Sequence, residues 1–351
     1  MATDRRQLIS IQYLRAVAAL MVVLYHATTT RDWLFDPLEG YVAFAWGVHI
    51  FFVISGFIMY VAARKENHIH FLGRRIIRIL PLYWLATLAL LAVNTGFHVW
   101  LINSAEFFHL IESLFFIPHS NPDIPGHVWP YLVPGWTLDY EMLFYLIFFL
   151  GLLVKRPLAV TTFVIFLFFF IGEFFNPETV MLKTYTKPVL LEFLCGMWIA
   201  HAYTKGLFKK NIPLIIIIGF SVLFLLPLLG VGKPPVAGII LASSMIVAGA
   251  LSSGRMASRF KILHLLGDAS YSIYLTHTFI SLSLAALIWR PVPVDGWIQF
   301  GGWVILTLVL SSLVGIIVYL YCERPMIKWL RLRWEIISIH RRADKTNGQI
   351  T

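Results

Sequence analysis

The sequence predicts an all-α membrane protein: a polytopic bundle of about ten transmembrane helices with both termini cytoplasmic. Three observations carry that expectation. Of the 351 residues, 59% are hydrophobic and only 13% charged, and the mean hydropathy is +0.77, an apolar excess that no soluble core of this length needs. Apolar stretches of about 20 residues, the length that spans a bilayer, recur along the whole chain. The basic residues are also sorted by side. With an even number of spans, Arg31, Lys183, Lys187, Lys233 and Arg290 fall on one face, and the other 23 of the 28 Lys and Arg fall on the face that holds both termini. By the positive-inside rule that second face is cytoplasmic. The net charge of +10 follows from the same rule and from anionic lipid, so it gives no reason to expect a nucleic-acid partner.

In order, the expected spans are 9–29, 42–62, 76–95, 137–154, 158–175, 187–204, 212–229, 236–252, 270–289 and 299–321. The first contains LRAVAALMVVLYHATTT, in which Arg15 interrupts the apolar core and YHATTT makes a poor cleavage site. It is therefore expected as a retained helix rather than a signal peptide. Residues 1–331 are expected to form one membrane domain and 332–351 a short polar cytoplasmic tail. Cys195 and Cys322 both fall within or at the ends of spans, a pattern that implies neither a disulfide framework nor a metal site.

Arg15 and His26 pose the first chemical question. Eleven helical steps of about 100° bring the two side chains onto one face, about 16 Å apart along the axis. An arginine at membrane depth costs about 2.5–3.5 kcal/mol on insertion scales, so it faces a partner or cavity unless it snorkels to the headgroups. Span four opens with GWTLDYEMLFY, whose Thr137, Glu141 and Tyr145 share one helix stripe. Counted from the start of that span, Glu141 reaches a depth comparable to His26. A carboxylate there would hold the imidazole in one tautomer and stabilise its protonated form. The alternative is a purely structural pair. Asp139 points the other way and is expected at the rim, facing solvent or the start of its own helix.

The remaining spans add four groups. FLGRRIIRILPLYW sets Arg75 and Arg78 three residues apart, with Arg74 beside them, at the inner end of span three. Such residues anchor to lipid headgroups or fork around phosphate esters. Pro81 is expected to kink the helix above them. LGDASYSIYLTHTF places Ser270, Tyr274 and His277 on one face of span nine, with Asp268 or Ser270 able to cap it. YCERP is expected to end span ten with a Glu323–Arg324 ion pair, and Ser55–Gly56 of FFVISGFIMY to serve close helix packing.

Together, Arg15 and His26 with ten residues between them, FFVISGF, the Arg75–Arg78 pair, WTLDYE and YSIYLTH resemble the acyltransferase-3 family of bacterial membrane acyltransferases, commonly O-acetyltransferases of surface and exported polysaccharides. The motifs keep the family's order over residues 8 to 325. The resemblance implies a cytosolic acyl-CoA donor such as acetyl-CoA, used as a co-substrate with no permanently bound cofactor. It further implies donor binding or catalysis by Arg15, Arg75 and Arg78, an essential His26, and a bacterial inner-membrane location. The acceptor would be a sugar hydroxyl of an exported polysaccharide or its lipid-linked oligosaccharide precursor. One departure stands out: family members often carry an aspartate where this chain has His49.

Residues and resemblance point to one expected mechanism. The donor's phosphates sit at the arginine-lined inner mouth and its pantetheine arm reaches outward beside span one. His26, oriented by Glu141, then deprotonates the sugar hydroxyl or carries the acyl group itself. His277 is the second candidate. The aromatic connection 96–136 would close over the sugar. The rival reading, a transporter of a polar solute or lipid-linked sugar, calls for inverted repeats with paired broken helices, and none is visible in the sequence.

Overall fold

The computed structural model describes residues 2–29, 31–63, 67–96, 98, 103–208, 212, 214–229, 235–253 and 260–347, with side chains from 8 to 336. Every regular element among them is helical. In chain order they are α1 (Ala2–Ala27), α2 (Gly47–Ala63), α3 (His68–Asn94), α4 (Ser104–Leu114), α5 (Trp136–Leu153), α6 (Pro157–Phe175), α7 (Val180–Tyr185), α8 (Leu190–Thr204), α9 (Leu214–Leu225), α10 (Val236–Ser252), α11 (Lys261–Asp268), α12 (Ser270–Thr276), α13 (Leu282–Trp289), α14 (Gly296–Val318) and α15 (Arg324–Asn347).

Among the described residues, seven stretches are long and apolar enough to cross a membrane: Leu8–Ala27, Ala43–Ala63, His68–Asn94, Val133–Leu153, Pro157–Phe175, Ser270–Trp289 and Gly296–Ile336. The other three expected spans are shorter, for local reasons. α8 has 15 residues and stops where Gly206 adopts φ 79°, the left-handed conformation that closes helix ends. The span expected at 212–229 is Leu214–Leu228, tightened into a 3-10 turn over Leu226–Leu229 around Pro227. Val236–Ser252 begins directly after Pro235.

Two expectations about helix ends are corrected. Neither Asp268 nor Ser270 caps span nine. α11 runs into α12 through Ala269, whose N–H bonds Leu265 O (2.9 Å) and whose carbonyl accepts from Ile273 (2.9 Å), so no free N-terminus exists there to cap. Nor does YCERP end span ten. α14 passes through a π turn, Tyr319–Glu323, directly into α15. That turn already breaks the i→i−4 ladder that Pro325 would interrupt. Glu323 accepts from Ser272 at 2.5 Å, and no Glu323–Arg324 pair forms among the described contacts. α15 carries the polar tail on as helix to Asn347.

α1 runs through the middle of the bundle and packs on α2, α10, α11, α12 and α14. The tightest pair is α2 with α8. A Cβ on Gly56 would collide with the Phe193 carbonyl, and one on Gly196 with that of Val53, so the two backbones touch where only glycine fits. Phe52, Phe144, Phe148 and Phe193 fill the core beside this contact. On the far side α6 leaves Phe163, Phe174 and Phe175 exposed, as a lipid-facing helix does. α3 is capped by Asn67, which accepts from Ile69 N, and runs on through Pro81. α4 opens with a capping box of Asn103 and Glu106 and is tied to α3 by Tyr83 to Ser113 O (3.1 Å) and Trp84 to Leu114 O (2.9 Å).

Candidate functional site

At the centre lies a cavity walled by α1, α2, α3, α5 and α12. Its polar lining is Arg15, Arg75, Arg78, Ser55, Glu141 and Tyr145, with Thr137, Ser270, Tyr271 and Tyr274, and its apolar lining includes Phe51, Phe52, Ile54, Ile58 and Met59. Arg15 and Arg75 are both buried. Arg15 donates to Gln12 Oε1 at 3.3 Å, and the carboxylates acting on it are Glu323, Asp268 and Glu141, against the like charge of Arg78. Arg75 lies over the Phe71 ring, 5.6 Å from its centroid. The expected stripe Thr137–Glu141–Tyr145 does face one wall, as the i, i+4, i+8 spacing requires.

His26 and Glu141 do not meet; each has other partners. Glu141 Oε1 accepts from Ser55 (2.8 Å) and from Tyr145. The reason is depth. The helical stretch that holds Glu141 begins at Val133 and the one that holds Ser55 begins at Ala43. At about 1.5 Å per residue both side chains sit near mid-span, whereas His26 is one residue from the end of α1. Ser55 is thus a ligand of the carboxylate, and close packing is left to Gly56.

The partner of His26 is His277. Their rings lie 4.8 Å apart at 66°, with His277 Nε2 3.2 Å from His26 Nδ1. His277 Nδ1 lies 2.7 Å from Tyr274 O and His26 Nδ1 lies 2.9 Å from Val22 O. A carbonyl only accepts, so both Nδ1 atoms carry hydrogens. His277 Nε2 is then an acceptor, and His26 Nε2 is left as the basic nitrogen. His277 begins a π turn, His277–Ser281, a local widening that recurs at functional sites. The end of α1 is fixed from outside. Trp303 donates to Ala27 O at 2.7 Å, and Arg31 lies over the Trp303 ring at 5.1 Å, its acidity raised by burial.

Tyr274 separates the two groups. Its hydroxyl donates to Pro134 O (3.1 Å) and meets Thr137 Oγ1 at 3.1 Å. Its ring packs against Phe51 on one side, centroids 6.2 Å apart, and against His277 on the other, at 6.0 Å. Tyr274 and Phe51 therefore line the end of the cavity next to the imidazole pair.

Two further acids sit apart from these groups, one unread in the sequence and one placed differently from its reading. Glu192 is fully buried and binds His49 Nδ1 at 2.5 Å. Where the resemblance leads to an aspartate at position 49, α8 supplies an acid to the histidine that replaces it. A lone Glu in LLEFLCGMW was the available signal, because a carboxylate within an apolar span needs a partner. Asp139, expected at the rim, is instead 3% exposed, and its Oδ1 has no hydrogen-bond partner among the described residues.

A family model described as an acyltransferase domain, acyltransferase-3, matches residues 8–322. A protein of Rhizobium meliloti (strain 1021), named exopolysaccharide production protein ExoZ, is 35% identical over 301 residues, which cover 82% of this chain and 90% of that one. No solved structure matches the chain.

Proposed function

Given that the chain belongs to the acyltransferase-3 family of membrane acyltransferases, we propose that it moves an acetyl group from cytosolic acetyl-CoA to a sugar hydroxyl of an exopolysaccharide or its lipid-linked precursor, at the inner membrane of a bacterium. The acceptor class is supported by the name of the ExoZ relative. The donor is supported by the single observation that carries the reading: one cavity joins three arginines to the wall behind which a histidine pair stands.

In this reading Arg15, Arg75 and Arg78 hold the donor's phosphates, because guanidinium forks match phosphate oxygens and stay charged when buried. Glu141, held by Ser55 and Tyr145, offsets part of that positive charge and orients Arg15. The pantetheine arm occupies the apolar part of the cavity and brings the thioester to Tyr274. His26 Nε2 takes the proton of the sugar hydroxyl as its oxygen attacks the thioester carbonyl. The tetrahedral intermediate collapses by breaking the C–S bond, and the proton passes from His26 to the departing thiolate. His277, accepting from His26 Nδ1, stabilises the imidazolium formed midway.

The test is transfer by the purified protein from labelled acetyl-CoA to candidate glycans. Labelled glycan is the expected product, and its absence with every acceptor, together with no binding of coenzyme A, would overturn the donor assignment. Arg75→Ala and Arg78→Ala should each weaken coenzyme A binding by about 1.5–3 kcal/mol per lost charge-assisted contact. Unchanged affinity in both would return these residues to lipid anchoring.

A further inference from the structure

A second cleft, of about 480 Å³, opens between α1 and α11, with a lining that includes Ile9, Tyr13, Phe260, Lys261, His264 and Asp268. That volume lies within the range of about 300–1,000 Å³ typical of small-molecule sites. Tyr13 and Phe260 present two aromatic rings, 6.4 Å apart and steeply inclined. Phe260 is 56% exposed and Lys261 is exposed, so the ring and the ammonium are free to meet a ligand. His264 Nδ1 stands 3.2 Å from Asp268 Oδ2.

The cleft is wired to the central cavity. Gln12 Nε2 donates to Asp268, and Gln12 Oε1 accepts from Arg15 Nη1 at 3.3 Å. Arg15 lines the central cavity and Asp268 lines the cleft. The Gln12 side chain links the two. The glycine opposite it allows no more: a Cβ on Gly267 would collide with the Gln12 carbonyl. A ligand with an anionic middle would therefore rest one end in the cleft while its phosphates reach Arg15.

We propose that this cleft receives the adenosine 3′-phosphate end of the acyl-CoA donor, a site that rests on the donor reading above. Each feature has a counterpart in that group. The aromatic rings offer a face and an edge to the purine, whose stacking any base supports. Asp268 accepts from the exocyclic amino group, and this explains a carboxylate in a site for a polyanion. Lys261, a mobile point charge, reaches the 3′-phosphate, with His264 beside it. The pyrophosphate is then carried past Gln12 to Arg15 and Arg78, and the pantetheine arm enters the cavity.

The test uses the full-length protein in detergent and measures its equilibrium binding of coenzyme A, 3′-dephospho-coenzyme A and 4′-phosphopantetheine. The wild type should bind them in that order of decreasing affinity. Lys261→Ala should weaken coenzyme A about tenfold, leave 4′-phosphopantetheine unchanged, and erase the preference for the 3′-phosphate. Phe260→Ala should weaken both nucleotides alike. If the wild type binds coenzyme A but both variants keep its full order of affinities, the cleft is not the nucleotide site while the donor reading stands. A wild type that binds none of the three overturns both. Loss of co-purifying anionic phospholipid in Lys261→Ala, with the order unchanged, would give the cleft to a lipid headgroup and overturn the proposal.

Discussion

With its Nδ1 proton committed to Val22 and His277, His26 has one nitrogen left for chemistry. His26→Ala should lower transfer about 10²–10⁴-fold, the usual contribution of a positioned base. His277→Ala should be strongly impaired as well, and the double variant scarcely worse than His26→Ala, since residues acting in one step lose activity non-additively. Glu141→Gln should act on donor affinity instead of joining that unit. Measured rates in which the two histidine losses simply multiply would break the pair. Part of the cavity's lining was legible from spacing: the Thr137–Glu141–Tyr145 stripe lines it together. The partner of His26 was not. Helical periodicity gives the face a residue occupies but not its depth, and depth is set by where the chain enters its helix. The 3-10 turn at Val133–Gly135 starts that helical stretch four residues before the expected span, and this moves Glu141 inward, away from His26.

Among the elements, α4 gives the clearest dependence on pH. His109, 4% exposed on the inner face of α4, lies 2.6 Å from His119 Nε2. Burial first, then the neighbouring His119, pushes its pKa down to about 4, against a smaller opposing effect of Asp123. The folded connection thus holds fewer protons at this site than the unfolded one. Stability from it is complete above the ordinary histidine value near 6.5 and is lost as pH falls towards 4. Proteolysis of the connection 103–136 should accelerate across that window, and His109→Gln should flatten the dependence; an identical acid response in the variant would remove His109 as its source. The capping box of α4 and the Gly206 stop of α8 follow from local chemistry that is readable in the sequence. The joined α11–α12 and the π turns are not, because packing against α1 and α14 sets them.

For the whole molecule, the sorting of Lys and Arg argues for termini inside and the 96–136 connection outside. Ser104 and Ser120 are both exposed. Cysteines placed there should react with an impermeant reagent applied to intact cells. Labelling only after permeabilisation would invert the orientation and the mechanism with it. Among the described residues, seven of the ten expected spans were legible because apolar length is set by the bilayer. The short spans were not, since α10 packs on α8, α9 and α2, and α8 on α2, and they need not meet lipid along their whole length.

The Phe51–Tyr274 wall has a consequence beyond catalysis. On the proposed function, a charged donor enters one mouth and an acceptor the other, so the protein would lie along the route of a leak, and the membrane proposed for it would hold a proton gradient across that route. Two aromatic rings, one pinned by Pro134 O and Thr137, stand between the arginine cavity and the histidine pair. Tyr274→Ala in proteoliposomes should raise proton flux above that of the wild type even with no substrate present, and Tyr274→Phe, which keeps the ring, should not. A tight Tyr274→Ala bilayer would mean that the seal lies elsewhere. On that reading the tyrosine would make the enzyme safe to keep in an energised membrane between turnovers, a demand no soluble acyltransferase meets.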